Sequence, residues 1–437
     1  MCANKKIILV HNYYQQFGGE DAVVETERTL LRSRGNVVVS YCKTNDDIGA
    51  SGNRLLAIGS LLKASITTLW NHQTYREFRK LLQNEKPDVV HCHNTFPLIS
   101  PSIYWACAKE RVPVVQTLHN YRLLCVNAVL FLQSRHSAAG GICELCVSKR
   151  FKWPGIKYSC YRDSKAGSLV VALMLFIHKL AGTWSKKVTS YIALTELQKQ
   201  KMIEGGLPED KIWVKPNFID GSSIKEPTAN SHVTSAESLV PNAEQNYALF
   251  VGRLSPEKGC DVLIRAWAQF KQKPTANETP QLLIVGDGLE RAALESLTSS
   301  FVSNAESLMP STIHFLGQQP KESVLVLMRN AQFLVFSSIW YETFGLTVLE
   351  AGLEGTPSVV SAPTTTSGLI SDRQNGLVYP LGDDAELAEK IEWAFDHPAE
   401  MKKMGEAARL DFEQKYSAEV NYEMLTGIYD RALGDGR

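Results

Sequence analysis

Two cations, Arg253 and Lys258, stand in the segment Gly252-Arg253-Leu254-Ser255-Pro256-Glu257-Lys258-Gly259. The apolar run Tyr247–Val251 precedes it and a helix-forming stretch follows, so the segment reads as a strand-to-helix turn. Arg253 offers a planar fork of donors and Lys258 a point charge, while a helix start adds free N–H groups and positive potential. Together they suit a diphosphate. A solvated loop with incidental charges would read the same way, because short motifs are weak alone.

A second group lies in Trp340-Tyr341-Glu342-Thr343-Phe344-Gly345-Leu346-Thr347-Val348-Leu349-Glu350-Ala351, after the apolar run Phe333–Phe336. Glu342 precedes a helix expected to open at Gly345, and Glu350 lies about two turns beyond it. A carboxylate at Glu350 can accept both hydroxyls of a ribose. Glu342, beside the unpaired N–H groups of a helix start, can meet a sugar. A capping glutamate and a surface glutamate are the plainer reading of the same two positions.

The elements that must hold these residues alternate between strand and helix. Strands are predicted at 6–11, 37–41, 88–91, 112–118 and 188–193, with helices over 20–34, 75–83, 102–109 and 195–204. A second series has strands at 247–251, 282–285, 313–315, 333–336 and 358–361, with helices over 259–271, 288–298, 322–329, 345–354 and 384–395. Such alternation predicts an α/β protein with two doubly wound, Rossmann-like parallel-sheet domains facing each other across a cleft. The boundaries fall at 1–218 and 219–415, with a last helix over 416–437 that could pack back on the first domain. Gly221 to Gln245 is rich in Ser, Ala, Asn and Pro and reads as a flexible surface loop.

Composition narrows the partners. Lysine plus arginine equals aspartate plus glutamate, 46 against 46, so no basic excess points to nucleic acid. The opening MCANKKIILV lacks the apolar core and cleavage site of a signal peptide, so a cytoplasmic protein is expected. Nine cysteines in such a chain read as thiols or ligands rather than as a disulfide framework. A dehydrogenase is excluded because neither domain opens with G-x-G-x-x-G.

The GRLSPEKG segment and the Glu-x7-Glu element resemble those of the retaining glycosyltransferases with the GT-B fold, family 4 (group 1). Gly286-Asp287-Gly288, Asn375-Gly376-Leu377-Val378 and the hinge Pro216-Asn217 fit the same family pattern. The resemblance implies a nucleotide-diphosphate sugar donor and no metal required for catalysis. It implies a donor site of Gly18, Gly19, Gly252, Arg253, Lys258, Glu342, Phe344, Gly345, Leu346, Thr347 and Glu350. Phe17-Gly18-Gly19-Glu20 matches the family's glycine-rich loop, and the family's active-site histidine carries over to His119. His119, Glu342, Arg253 and Lys258 are then the catalytic set, moving a hexose-type sugar to a glycan or lipid-linked acceptor in surface polysaccharide or glycoconjugate synthesis. A nucleotide-sugar epimerase and a non-catalytic nucleotide-sugar-binding subunit are the rival readings.

Three further features have double readings. His91 and His93 put two rings on one face of a strand end with no third ligand evident, and so read as cleft-lining. Cys125, Cys143, Cys146 and Cys160, in an insertion over about 120–165, can hold a structural zinc or pack a loop as reduced thiols. The apolar run Gly167–Leu180, with Lys179, Lys186 and Lys187 nearby, suits either a core helix or peripheral contact with the inner face of a membrane.

Overall fold

The computed structural model describes residues 4–13, 18–44, 65–132, 141–219, 246–271, 280–301, 312–364 and 368–434. Phe17 and the Gly221–Gln245 loop lie outside the described residues.

Six parallel strands form the N-terminal sheet in the order β2-β1-β3-β4-β7-β8: β1 (Lys6–Tyr13), β2 (Val37–Thr44), β3 (Val89–Cys92), β4 (Val114–Leu118), β7 (Ser190–Ala193) and β8 (Ile212–Val214). A two-stranded antiparallel ribbon, β5 (Phe131–Leu132) and β6 (Gly141–Ile142), interrupts the series. Helices α1 (Gly19–Ser33), α2 (His72–Glu85), α3 (Ser102–Glu110), α4 (Trp153–Lys157), α5 (Lys165–Leu180) and α6 (Glu196–Glu204) belong to this lobe. The continuous apolar runs of β1, β3 and β4 follow from burial of both sheet faces beneath helices.

The C-terminal sheet is also six-stranded and parallel, in the order β11-β10-β9-β12-β13-β14. Its strands are β9 (Tyr247–Val251), β10 (Gln281–Val285), β11 (Ile313–Gly317), β12 (Phe333–Phe336), β13 (Ser358–Ala362) and β14 (Gly376–Pro380). Around it lie α7 (Cys260–Lys271), α8 (Arg291–Ser300), α9 (Lys321–Asn330), α10 (Leu346–Glu354), α11 (Asp384–Asp396) and α12 (Pro398–Lys415). The strands β8 and β14 and the helix α12 go beyond the sequence reading. β8 has only three residues, whereas α12 buries Met401, Met404, Gly405, Ala408 and Phe412 at helical spacing, a stripe that the sequence reading passed over.

The last helix, α13 (Ala418–Gly434), crosses back to the N-terminal lobe. Its Leu425, Ile428, Tyr429 and Ala432 share one buried cluster with Ile7, Leu9, Val89 and Ile192. Polar bonds fix its register: Asn421 Nδ2 donates to the Pro216 carbonyl at 2.7 Å, and Asn36 Nδ2 to Tyr422 Oη at 3.0 Å. No described helix is long and apolar enough to cross a membrane.

Candidate functional site

In the C-terminal sheet the chain order reverses between β9 and β12, and loops leaving their carboxyl ends open a crevice there. β9 delivers Gly252–Gly259, and β12 delivers Ser337–Gly345. The two loops touch backbone to backbone: Ile339 N donates to the Glu257 carbonyl at 2.9 Å. Gly259 has φ +62°, and a Cβ there would sit 2.2 Å from the Ser337 carbonyl oxygen, so only glycine fits. The β10 loop braces the first from the other side. Leu254 N donates to the Asp287 carbonyl at 2.9 Å, and a Cβ on Gly288 would be 2.2 Å from the Leu254 carbonyl oxygen.

This scaffold joins Lys258 to Glu342. Lys258 Nζ donates to Glu342 Oε2 at 2.5 Å, and Trp340 Nε1 (3.2 Å) and Ser338 Oγ (3.4 Å) donate to the same oxygen. The ammonium also lies 5.6 Å from the centroids of the Phe336 and Trp340 rings. Arg253 is disposed differently. Its side chain is 64% exposed and, among the described residues, pairs along its own turn, with Glu257 at 3.1 Å and Ser255 Oγ at 3.4 Å. An exposed pair of that kind holds the guanidinium weakly. Glu350 lies on α10 with its carboxylate paired to Lys321 at the start of α9. Glu342 and Glu350 thus stand on a loop and a helix, joined by Gly345 at φ +87°. Leu346 and Thr347 occupy the first helical turn, half-buried, whereas the Phe344 side chain is packed into a cluster with Leu194 and Leu349. What Phe344 can offer a ligand is therefore its backbone.

The N-terminal lobe faces this crevice with the ends of β1, β3 and β4. Gly18 caps α1, and Gly19 lies against the other lobe: a Cβ there would be 3.1 Å from Leu346 Cδ1. Tyr341 Oη donates to Glu144 at 2.8 Å across the same gap. Burial first, and then the Glu342 carboxylate, push the Tyr121 phenol far above its ordinary value, so Glu342 acts within electrostatic reach of the His119 loop.

His119 is buried, and its Nε2 lies 2.8 Å from His93 Nδ1 with the two rings stacked. Behind them stands an acid absent from the sequence reading. Glu27, fully buried on α1, places Oε1 3.2 Å from His93 Nε2 and 3.1 Å from His91 Nδ1, and Oε2 3.2 Å from Lys215 Nζ. His91 and His93 are thus interior groups, and a third ligand-type residue does accompany them. Among the described residues, Glu27, His91 and His93 are the one set of three potential metal ligands with atoms within 4.8 Å of one another. The buried Lys215 ammonium already supplies the positive charge that a divalent ion would bring, so the set is better described as a charge network. Burial would raise the Glu27 carboxyl, but Lys215 and the two histidines hold it well below the usual range.

The Glu27 carboxylate biases where the protons sit. Burial, then the neighbouring His91, push His93 down to about 3, so it is neutral with one N–H. Pointing a lone pair at a carboxylate 3.2 Å away is unfavourable, which favours the proton on His93 Nε2 even though the ring is not aligned for a hydrogen bond to Glu27 Oε1. His93 Nδ1 must then accept, and His119 Nε2 donates to it. His119 is itself held well below its ordinary pKa, by burial and then His93, so its Nδ1 is left as an acceptor. A cavity beside it is lined by Phe96, Arg122, Tyr104, Met174 and Trp184. The clue in the sequence was position: Glu27 falls on the apolar face of α1 with Val23, Val24, Leu30 and Leu31.

The four cysteines all lie in the insertion and carry free thiols. No three of their sulfurs lie within 4.8 Å of one another. Burial, then Cys125, push Cys146 and Cys160 up to about 12.

Two family models divide the chain between them: "Glycosyltransferase Family 4" matches residues 17–222 and "Glycosyl transferases group 1" matches 234–411. The chain belongs to the group 1 glycosyltransferases. The uncharacterized glycosyltransferase MJ1607 of Methanocaldococcus jannaschii is 25% identical over 81% of this glycosyltransferase and 77% of its own length. The D-rhamnosyltransferase WbpZ of Pseudomonas aeruginosa is 29% identical over 39% of this chain and 42% of its own. Anabaena HepE, crystallised with UDP, shares the fold at TM-score 0.63 and 17% identity, with 97% and 100% of the two chains covered. This glycosyltransferase has the GT-B fold.

Proposed function

We propose that this glycosyltransferase moves a hexose-type sugar from a nucleotide-diphosphate donor to a glycan or lipid-linked acceptor, with retention of anomeric configuration and without a catalytic metal. The observation that carries the reading is the Lys258–Glu342 pair, held at 2.5 Å at the switch point of the C-terminal sheet. A diphosphate arriving there would take the Lys258 ammonium from Glu342, and Arg253 is free to swing onto the same phosphates. Glu342 would then turn to the sugar, Glu350 would exchange Lys321 for the ribose hydroxyls, and His119 Nδ1 would accept from a hydroxyl of the transferred sugar. Closure of Gly19 on Leu346 excludes water from the reacting bond. The HepE complex with UDP supports a nucleotide donor, and the rhamnosyltransferase supports transfer of a hexose-type sugar; a place in surface polysaccharide or glycoconjugate synthesis is part of the proposal.

The test is transfer from nucleotide sugars to a bacterial lipid extract in excess EDTA, with the product linkage read by NMR. Turnover in EDTA with the donor's anomeric configuration is expected. An inverted linkage, or release of epimerised nucleotide sugar without transfer, would overturn the reading.

A further inference from the structure

Helix α5 is apolar on two sides. Ser168, Val171, Ala172, Met174, Leu175 and His178 are buried against the lobe. The opposite side leaves Leu169 42%, Ile177 46% and Leu180 60% exposed, with half-buried Leu173 and Phe176 between them at helical spacing. Trp153, 51% exposed, opens the adjoining α4, and Phe151 meets Phe176 edge to face at 5.4 Å. A run of side chains like this, left in water, marks a surface that something covers.

The charge around it identifies the occupant. Between Lys149 and Lys187 the sequence has nine lysines and arginines against one acid, Asp163, in a chain of zero formal net charge. Lys149, Arg150, Lys157, Arg162, Lys165 and Lys186 are exposed, and none forms an ion pair among the described residues. At 16 residues α5 is too short to cross a bilayer. An apolar stripe rimmed by unpaired cations fits an interface whose outer layer is anionic and whose inner layer is hydrocarbon.

We propose that the α4–α5 face docks on an anionic phospholipid surface, with the stripe at the acyl boundary and the cations on the headgroup phosphates. The inner side of α5 lends Met174 to the cavity beside His119, and Trp184, just beyond α5, lines the same cavity. Docking therefore brings that cavity to the lipid surface, where a lipid-carried acceptor presents its headgroup; this consequence rests on the transferase reading, and the surface itself does not.

Flotation of the full chain with phosphatidylglycerol–phosphatidylcholine vesicles tests the surface without any turnover. The protein is expected to float with the mixed vesicles, to stay behind with pure phosphatidylcholine, and to release severalfold at 0.5 M salt, where charges are screened beyond roughly 4 Å. The surface variants Lys149→Glu/Arg150→Glu/Lys186→Glu and Leu169→Ser/Ile177→Ser should each lose flotation at least tenfold and keep the wild-type melting temperature. The inference is overturned if the wild type stays behind, if both variants still float, or if lipid-free chain forms dimers that the Leu169→Ser/Ile177→Ser variant abolishes. In each of those cases the transfer assay can still succeed, so the two readings fail separately.

Discussion

Replacing Lys258 with Gln should lower transfer by about 10²–10³-fold, the loss typical of deleting one donor that stabilises a developing anion. The effect follows from where the ammonium sits. It is 19% exposed, fixed between two aromatic rings and bonded to a carboxylate, so it is already aimed at the crevice and needs little reorganisation to meet a departing diphosphate. Arg253→Ala should cost several-fold less, because that guanidinium is solvated and must be recruited. Loss of the ammonium leaves Glu342 with Trp340 and Ser338 as donors, so the fold should survive with about 1–3 kcal/mol less stability. The counterpart is Glu342→Gln. It frees Lys258 from its ion pair, so free nucleoside diphosphate should bind more tightly while transfer slows. Steady-state kinetics beside nucleotide titration separates the two arms, and a Lys258→Gln enzyme with wild-type turnover would remove the phosphate role.

Glu27→Gln is expected to unsettle the N-terminal lobe and the active histidine together. The buried Lys215 ammonium loses its anion, and breaking a buried pair from one side costs about 3–5 kcal/mol. A melting temperature lower by on the order of 10 °C should follow. An amide in place of the Glu27 carboxylate also no longer demands an N–H from His93, so the His93–His119 bond can reverse and present an N–H where the wild type presents a lone pair. Transfer should fall more than stability explains at 20 °C, and long-range ¹H–¹⁵N spectra of histidine-labelled protein should show His119 protonated at Nε2 in the wild type only.

The same network sets an acid limit. His93 and His119 are held below their unfolded pKa of about 6.5, so they contribute stability that is fully present above that pH. As pH falls, the unfolded chain takes up protons that the folded His93 refuses until about 3. Stability should therefore drop by about 1.4 kcal/mol per pH unit for each of the two below pH 6. Glu27, also lowered, adds its loss only in stronger acid. Denaturant unfolding from pH 7.5 to 4.5 measures the slope, and His93→Gln should reduce it by one histidine's share.

The architecture was legible because continuous apolar strands alternate with amphipathic helices, and that pattern is local. Lys258 after β9 and Glu342 after β12 were legible from their strands and the turns that follow, whereas His119 after β4 was singled out by the family resemblance. Partnerships were not legible. Lys258 meets Glu342 across 84 positions, and Lys215 meets Glu27 across 188, distances over which sequence carries no geometry. The place of Glu27 on the apolar face of α1 hinted at burial, but its partners His93 and Lys215 come from other elements. The cysteine spacing allowed either a zinc site or packed thiols, and spacing along the chain does not give the distances between the four sulfurs.

The central claim is that the crevice between β9 and β12 binds a nucleoside diphosphate through Lys258. Thermal unfolding of wild type and Lys258→Gln with UDP, GDP and ADP tests it most directly. A ligand at a hundredfold excess over its Kd adds about 2.7 kcal/mol to the folded state. One nucleotide should raise the wild-type melting temperature and leave that of the variant nearly unchanged. Equal stabilisation of both proteins, or of neither by any of the three, would contradict the account.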